Sequence, residues 1–437
     1  MIIPHEVGAP GLKKFLICFL VLLPTSVWLS CGSYNRSSNT QSSGLTYRAL
    51  ITNNVSAGNL AAGVYTIDAA KDVNPGRPPI SAGNSPNMMV LTPNLADTLV
   101  FSGNGTQFSD NRLTVINNAS ESTVNQLALR GRTESFVVSP DSSSVYIALP
   151  TATVIGQPPG IVEAVSLGSG VTGQADVPAV HYLAMDNLGD RLFGFSDNSD
   201  SIALITPSQI GIGTAVTYVG GFDRPVAAFF SSDNTTAYIV NCGAECGGVQ
   251  ASVQQFNLTT NVVGTAVPVP AATVALVNNS TMYVAGTPVP ASPCTGETTA
   301  ATSCGVLTAV DLNSMTVMNS SPIIITDGYH NRIALGANGQ LFIGARTCTE
   351  ITPPVPAVAG AETRGCLSIY STLTGAVVIP PANGDVTGLQ SLSKRPVVYV
   401  IQGGSLKIYN TATAALQTTI QIVNLVGQFY DVKLIDF

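Results

Sequence analysis

Charged side chains are scarce in this 437-residue chain: only 10% of residues are Asp, Glu, Lys or Arg, against 45% hydrophobic. The formal net charge is −7, and no Lys/Arg cluster occurs. Nucleic-acid partners are excluded on that ground, because their binding is dominated by phosphate neutralisation. Solubility must come instead from the many Ser, Thr, Asn, Gln and Gly residues. Tryptophan occurs once, at Trp28, and histidine three times, at His5, His181 and His330. Missing motifs exclude further classes. There is no Cys-x-x-Cys-His for haem attachment, no Gly-x-Ser-x-Gly elbow, no zinc-protease helix and no phosphate loop. No cofactor and no catalytic residue is assigned from sequence.

Long apolar runs are also rare. The one that stands out, Phe15 to Leu23, is too short for a stable bilayer anchor but suits the core of a secretory signal. Lys13-Lys14 precede it, and Trp28-Leu29-Ser30-Cys31-Gly32 close it. The segment resembles a bacterial lipoprotein signal, where a small residue precedes the cysteine that is lipidated and becomes the mature N-terminus. Ser30 fits the small position and Cys31 the lipidated one. An ordinary secretory signal with an incidental cysteine is the alternative. The residues from Gly32 to Gly44 are Ser/Asn-rich, as a flexible tether should be. The expected organisation is a signal over 1–30, a tether over 31–45 and a single domain over 46–437. Cleavage before Cys31 removes Lys13, Lys14 and Glu6, which takes the net charge to about −8.

Cysteine usage agrees with export. Of eight cysteines, Cys18 leaves with the signal and Cys31 carries lipid. The remaining six, an even number in an exported chain, read as disulfides. They fall into three sequence-local couples, so the expected bonds are Cys242–Cys246, Cys294–Cys304 and Cys348–Cys366. The rival reading is a metal cluster around Cys242-Gly-Ala-Glu-Cys246. Zinc sites want paired short spacings or nearby His, and only His181 and His330 survive in the mature chain. No metal site is expected.

What the sequence does contain is a repeat. Leu50, Val100, Tyr146, Phe193, Tyr238, Tyr283, Phe342 and Tyr399 each sit in a short alternating run, with steps of 50, 46, 47, 45, 45, 59 and 57 residues. A period near 45 in a strand-rich chain predicts a radial array of four-stranded blades, because one such unit cannot bury its own apolar face. Strands A to D follow from alternation and turn signals. In the third unit, A is Arg132–Val138, B is Val145–Leu149, C is Ile161–Leu167 and D is Gln174–Ala179. Ser139-Pro140-Asp141 encodes the A–B turn locally, with equivalents at Thr92-Pro93-Asn94, Asp186–Gly189, Ser231–Asn234 and Gly336–Gly339. Strand C closes on Asp or Asn, as in Val64–Asp68, Leu113–Asn117 and Leu406–Asn410, which opens the turn into D.

Ala49–Asn54 followed by Val64–Asp68, and Val398–Gln402 followed by Leu406–Thr413, resemble the YVTN-type β-propeller repeat. The similarity covers roughly residues 46–437. The resemblance implies an all-β propeller, in a group that includes exported surface-layer and periplasmic proteins and lactonase-like enzymes; it transfers no activity by itself. Family analogy suggests seven blades, but counting gives eight. Seven complete units run from Ser85 to about Asn424, residues 46–83 supply B, C and D, and Phe429–Phe437 supplies the missing strand A. Pairing the two ends closes the ring. The tryptophan-docked repeat of eight-bladed quinoprotein dehydrogenases is absent, since the only Trp lies in the leader.

Function is expected on one face. Insertions at 150–160, 242–252, 287–305 and 347–366 fall between strands B and C, and the last three carry all six cysteines. In a propeller these loops emerge beside the D–A connections. Those connections hold Arg132, Glu134, His181, Asp223, Arg224, Asp327, His330, Arg332 and Asp385, a concentration of scarce charge at one structural position. A solvated rim explains any single one of them; as a group, Arg132, Glu134, His181, Asp223, Arg224, His330 and Arg332 are the candidate ligand-facing channel mouth. The expected function is a monomeric, lipid-anchored binding or scaffold module of the cell envelope, engaging a protein or glycan through its disulfide-stapled face. The alternative is a periplasmic lactonase-like hydrolase acting at the channel mouth.

Overall fold

The computed structural model describes residues 42–54, 61–103, 110–290, 304–351, 364–419 and 428–437. The signal, Cys31 and most of the tether lie outside these residues. The fold is an all-β propeller of eight antiparallel blades. Blade 1 joins the two ends of the chain: Tyr47–Asn53 is its strand B, Gly63–Asp68 its strand C, and Phe429–Asp436 its strand A. The register runs Tyr47 opposite Asp436 to Asn53 opposite Phe429. Its outer edge is covered through a bridge between Val64 and Ile80. Blades 2 to 8 follow in chain order, beginning at Pro86, Phe136, Val180, Pro225, Val274, Tyr329 and Val386. In blade 6 the outer strand is split, with Thr316–Val317 and Ile323–Ile325 both pairing Gly305–Asp311.

The turns explain why the repeat folds locally. After strand A in blades 2, 3 and 5, the carboxylate or amide of Asn94, Asp141 or Asp233 accepts the backbone N–H two residues on, at 3.0–3.1 Å. Leu95, Ser142 and Asn234 then take positive φ. After strand C, Asp68, Asn117, Asn257, Asp311 and Asn410 each accept a nearby backbone N–H. Four residues beyond each of them, Asp72, Glu121, Asn261, Met315 and Ala414 take positive φ. A side chain that bonds its own turn makes the hairpin independent of the blades around it.

Blades hold to one another through apolar faces. The buried side chains form eight clusters, one at each of the eight blade interfaces, including Tyr399, Ile401, Phe429 and Val432 between blades 8 and 1. The ring is thus closed by packing as well as by strand pairing.

Strand A departs from the expected regularity. In blades 1, 2, 4, 5, 7 and 8 an extra residue interrupts its pairing with strand B near the D–A end. These bulges turn side chains that a flat strand would keep in the blade interface toward the central channel. In blade 3 strand A is shorter than the sequence suggests, Phe136–Val138 only. Upstream, the Thr133 hydroxyl accepts the Ser135 N–H at 3.0 Å, so Arg132 to Glu134 leave the ladder and, with Ser135, line the channel, Ser135 keeping one bond from the Ala148 N–H of strand B. Strand D of the same blade begins earlier, at Gly170.

Candidate functional site at the channel mouth

The stapled loops form a tied rim. Cys242–Cys246 closes a single 3-10 turn after strand B of blade 5, and Cys348–Cys366 closes the loop of blade 7. Cys304 is also disulfide-bonded; Cys294, its expected partner, lies outside the described residues. The acidic D–A residues hold these loops down. Asp223 accepts the Val249 and Gln250 N–H groups at 3.0 and 2.7 Å, Asp327 takes Thr349 N–H at 2.9 Å, and Asp385 takes Thr347 N–H at 2.8 Å. Neighbouring blades are joined as well. Glu245, inside the first disulfide loop, accepts Thr287 N–H at 2.8 Å, and the Thr287 hydroxyl donates to the Gly328 carbonyl at 2.8 Å. A hydrogen-bonded path therefore runs along the rim from blade 5 to blade 8.

Glu245 is largely buried there, and burial pushes its carboxyl up to about 7, against the opposing effect of the Thr287 N–H. The unfolded carboxyl ionises at an ordinary value near 4.5, so between that pH and about 7 the folded state holds a proton the unfolded state has released. Stability contributed by this group is present at low pH and falls as pH rises through that window. Glu245→Gln keeps an acceptor for Thr287 without the charge. It is expected to stabilise at pH 8 by up to about 3 kcal/mol and to be neutral near pH 4, as read by urea unfolding at the two pH values.

Inside the rim, two cavities share a wall. The central one, about 290 Å³, is lined by Arg132, Glu134, Arg332 and Arg346 together with Tyr182, Tyr329 and Tyr430. The second, about 300 Å³, lies between blades 4 and 5 and is lined by His181, Asp197, Arg224 and Cys246, again with Tyr182 and Tyr329. The wall is a pair of phenols: Tyr182 of blade 4 and Tyr329 of blade 7 meet hydroxyl to hydroxyl at 2.9 Å. Burial raises the pKa of both, so both are neutral.

His181 sits beside that pair, its ring stacked on Tyr182 at 4.3 Å between centroids. Nδ1 lies 3.0 Å from Asp197 and Nε2 3.6 Å from Glu134. Burial pulls its pKa down, but the two carboxylates outweigh burial and leave it raised. Glu134 is held below the usual carboxylate range, first by its close contact with His181 against the effect of burial, then by the charges of His181, Arg346 and Arg132. Arg224 pairs with Asp200 at 3.2 Å and reaches the Gly247 carbonyl of the stapled turn.

Five of the sequence candidates thus line the two cavities: Arg132, Glu134, His181, Arg224 and Arg332. Asp223 is instead the clamp on the blade 5 loop. His330 does not face the channel. It is fully buried, its Nε2 is 3.0 Å from the Thr326 carbonyl, and burial pulls its pKa down to about 4. The reason is register. In blade 4 the bulge residue is His181 itself, whereas in blade 7 it is Asn331, one position after His330. A one-residue offset sends the side chain to the other face.

Sequence reasoning missed Asp197, Arg346 and the three tyrosines. Arg346 ends strand B of blade 7; its Nη2 donates to the Tyr430 hydroxyl at 2.9 Å, and the Asn331 amide oxygen accepts from Nε at 2.9 Å. The only sequence signal for two of the tyrosines was their adjacency to histidine, in His181-Tyr182 and Tyr329-His330.

Fold and site together define an eight-bladed β-propeller whose polar channel opens on a face of tied, disulfide-stapled loops. No protein family and no curated protein matches the sequence. Among solved structures it is similar to the dihydro-heme d1 dehydrogenase NirN in complex with DHE, with TM-score 0.58 and 11% identity, covering 90% of this chain and 76% of that one. It is also similar to Kuenenia stuttgartiensis hydrazine synthase, with TM-score 0.54 and 12% identity, covering 77% and 99%. The periplasmic gluconolactonase PpgL of Pseudomonas aeruginosa aligns at TM-score 0.48 and 16% identity, covering 89% and 99%. At such identities the first two similarities show the fold alone.

Proposed function

We propose that the protein is an exported, lipid-anchored binding module of the cell envelope, which engages a protein or glycan through the stapled face around its channel mouth. The observation that carries this reading is the tied rim: the described parts of the B–C loops of blades 5 and 7 are held by disulfides and by Asp223, Asp327 and Asp385. Ordered, elaborated loops on a rigid ring are where binding sites concentrate. Chain direction supports the same face. Strand B of blade 1 starts at Tyr47, and Ser43 just before it is bonded to Glu121 in a C–D turn. C–D turns lie opposite the B–C loops, so the described chain enters the ring at Ser43 to Tyr47 on the face opposite the stapled one.

Replacing residues 288–303 by a short turn, together with Cys304→Ser, is expected to remove the co-purifying envelope partner while leaving the fold intact. An unchanged partner set in a folded variant would contradict the reading. The anchor is tested separately by labelling with a palmitate analogue, which Cys31→Ser should abolish. A second reading, hydrolysis of a lactone at the channel mouth, is favoured by the convergence of His181, Glu134 and Arg132. Turnover in a lactone panel that is lost in both Glu134→Ala and His181→Ala would select it over the first.

A further inference from the structure

The central cavity carries more positive charge than its own residues balance. In a chain with 18 Lys and Arg residues and a net charge of −7, Arg132, Arg332 and Arg346 converge on one cavity of about 290 Å³. Among the described residues, the only carboxylate in its lining is Glu134, which is already engaged by His181. Two of the guanidiniums are also held in place. Arg332 donates through Nε to the Thr387 carbonyl at 2.7 Å and through Nη1 to the Asn331 carbonyl at 2.9 Å. Arg346 is fixed by Asn331 and Tyr430, with its guanidinium 5.8 Å from the Tyr430 ring centre. Among the described residues, Arg332 Nη2, Arg346 Nη1 and the whole Arg132 guanidinium donate to no protein acceptor. Arg332 and Arg346 are partly buried and Arg132 is exposed; like charges gathered on one cavity repel one another, and guanidinium donors match the geometry of a carboxylate.

Beside the polar side chains of Asn87, Thr133, Ser135, Thr273 and Asn331, the lining presents an apolar and aromatic surface that includes Met88, Leu183, Val226 and Val274 and the rings of Tyr182 and Tyr329. A bare inorganic anion would leave that surface wet. We infer that the central channel is a binding site for a small organic carboxylate with an aromatic or apolar body, its carboxylate held by Arg132, Arg332 and Arg346. The cavity volume lies at the low end of small-molecule sites, which run from about 300 to 1,000 Å³, and this favours a free ligand over a polymer segment. The inference rests on the reading of this face as a binding surface and gives it a ligand class.

The test is calorimetric titration of the intact protein at low salt with benzoate and phthalate, with benzamide and inorganic phosphate as the contrasts. Saturable binding of at least one carboxylate is expected, at least about tenfold tighter than benzamide and than phosphate, since the neutral amide loses the charge-assisted bonds and phosphate the apolar contact. Arg346→Gln should weaken it at least about tenfold, while Arg346→Lys should recover only part because a point charge lacks the fork. Should the Arg346 variants fail to fold, Arg132→Gln, at an exposed position, is expected to weaken binding in the same direction with an unchanged melting temperature. Benzamide or phosphate binding as tightly as the carboxylates would overturn the inference. So would binding indifferent to both arginines, or no saturation. Carboxylate binding by a protein that captures no envelope partner would support the inference and remove the broader reading; the reverse would remove the inference alone.

Discussion

Deleting Phe429–Phe437 is expected to leave a chain that cannot hold a folded ring. Phe429, Val432 and Ile435 are buried at 5%, 0% and 0% exposure in the contacts that close blade 1 on blades 8 and 2. At about 1.5–3 kcal/mol for each buried side chain of this size, their loss costs on the order of 5–9 kcal/mol. That is comparable with the whole stability of an ordinary domain, about 5–15 kcal/mol. The deletion also bares the inner edge of Tyr47–Asn53 and removes Asp431, whose carboxylate accepts the Met89 N–H of blade 2 at 2.8 Å. An edge left open in this way is a template for intermolecular pairing. The truncated protein should elute as aggregate and lose its near-ultraviolet circular dichroism. A monomer melting cooperatively at the parent temperature would show that ring closure does not depend on the two ends meeting.

The second large effect is expected at Glu121. Its carboxylate lies 3.1 Å from Arg48 Nε, and the two side chains are 7% and 3% exposed. Arg48 also donates to the Leu45 and Asn118 carbonyls. Burial pulls the Arg48 pKa down and the Glu121 charge opposes that. Glu121→Ala therefore leaves a buried cation with carbonyls alone, at a cost of about 3–5 kcal/mol. Adding Arg48→Met removes the uncompensated charge, so the double variant should recover most of the loss. Urea unfolding of the four proteins measures this as a coupling energy. Equal and additive losses would show that the pair is not a unit. Because Glu121 also binds the Ser43 N–H, the single variant should make the segment before Tyr47 more susceptible to protease.

The first of these effects was legible in the sequence, whereas the Arg48–Glu121 pair, joined across two blades, was not. That the C-terminus completes the first blade follows from counting strands, and the turns follow from Asp and Asn at fixed offsets. Such features depend on a few consecutive residues, which is why sequence carries them. The disulfide couples of blades 5 and 7 were legible for the same reason. The candidate site was legible only as a region. His181 and His330 occupy equivalent places by spacing, yet one lies beside the channel and the other inside a blade, because the bulge falls one residue later in blade 7. A bulge is set by how strand A meets strand B and the neighbouring blade, and no local residue pattern announces it. Arg346 and Tyr430 come together across 84 residues, a pairing that exists only once the ring has closed. Asp223, read as ligand-facing, is used instead to fix the loop above it, since the turn before strand A and the loop after strand B share one face.

The central claim is that the stapled face, and not the face from which the chain enters the ring, meets the partner. Site-specific photo-crosslinking in the intact envelope tests it most directly. A photoreactive side chain at Val249, 85% exposed in the stapled loop of blade 5, is compared with one at Leu188, 67% exposed in an A–B turn on the opposite face. A discrete adduct from position 249 and none from position 188 is the predicted result; adducts from position 188 alone, or the same adducts from both, would contradict it.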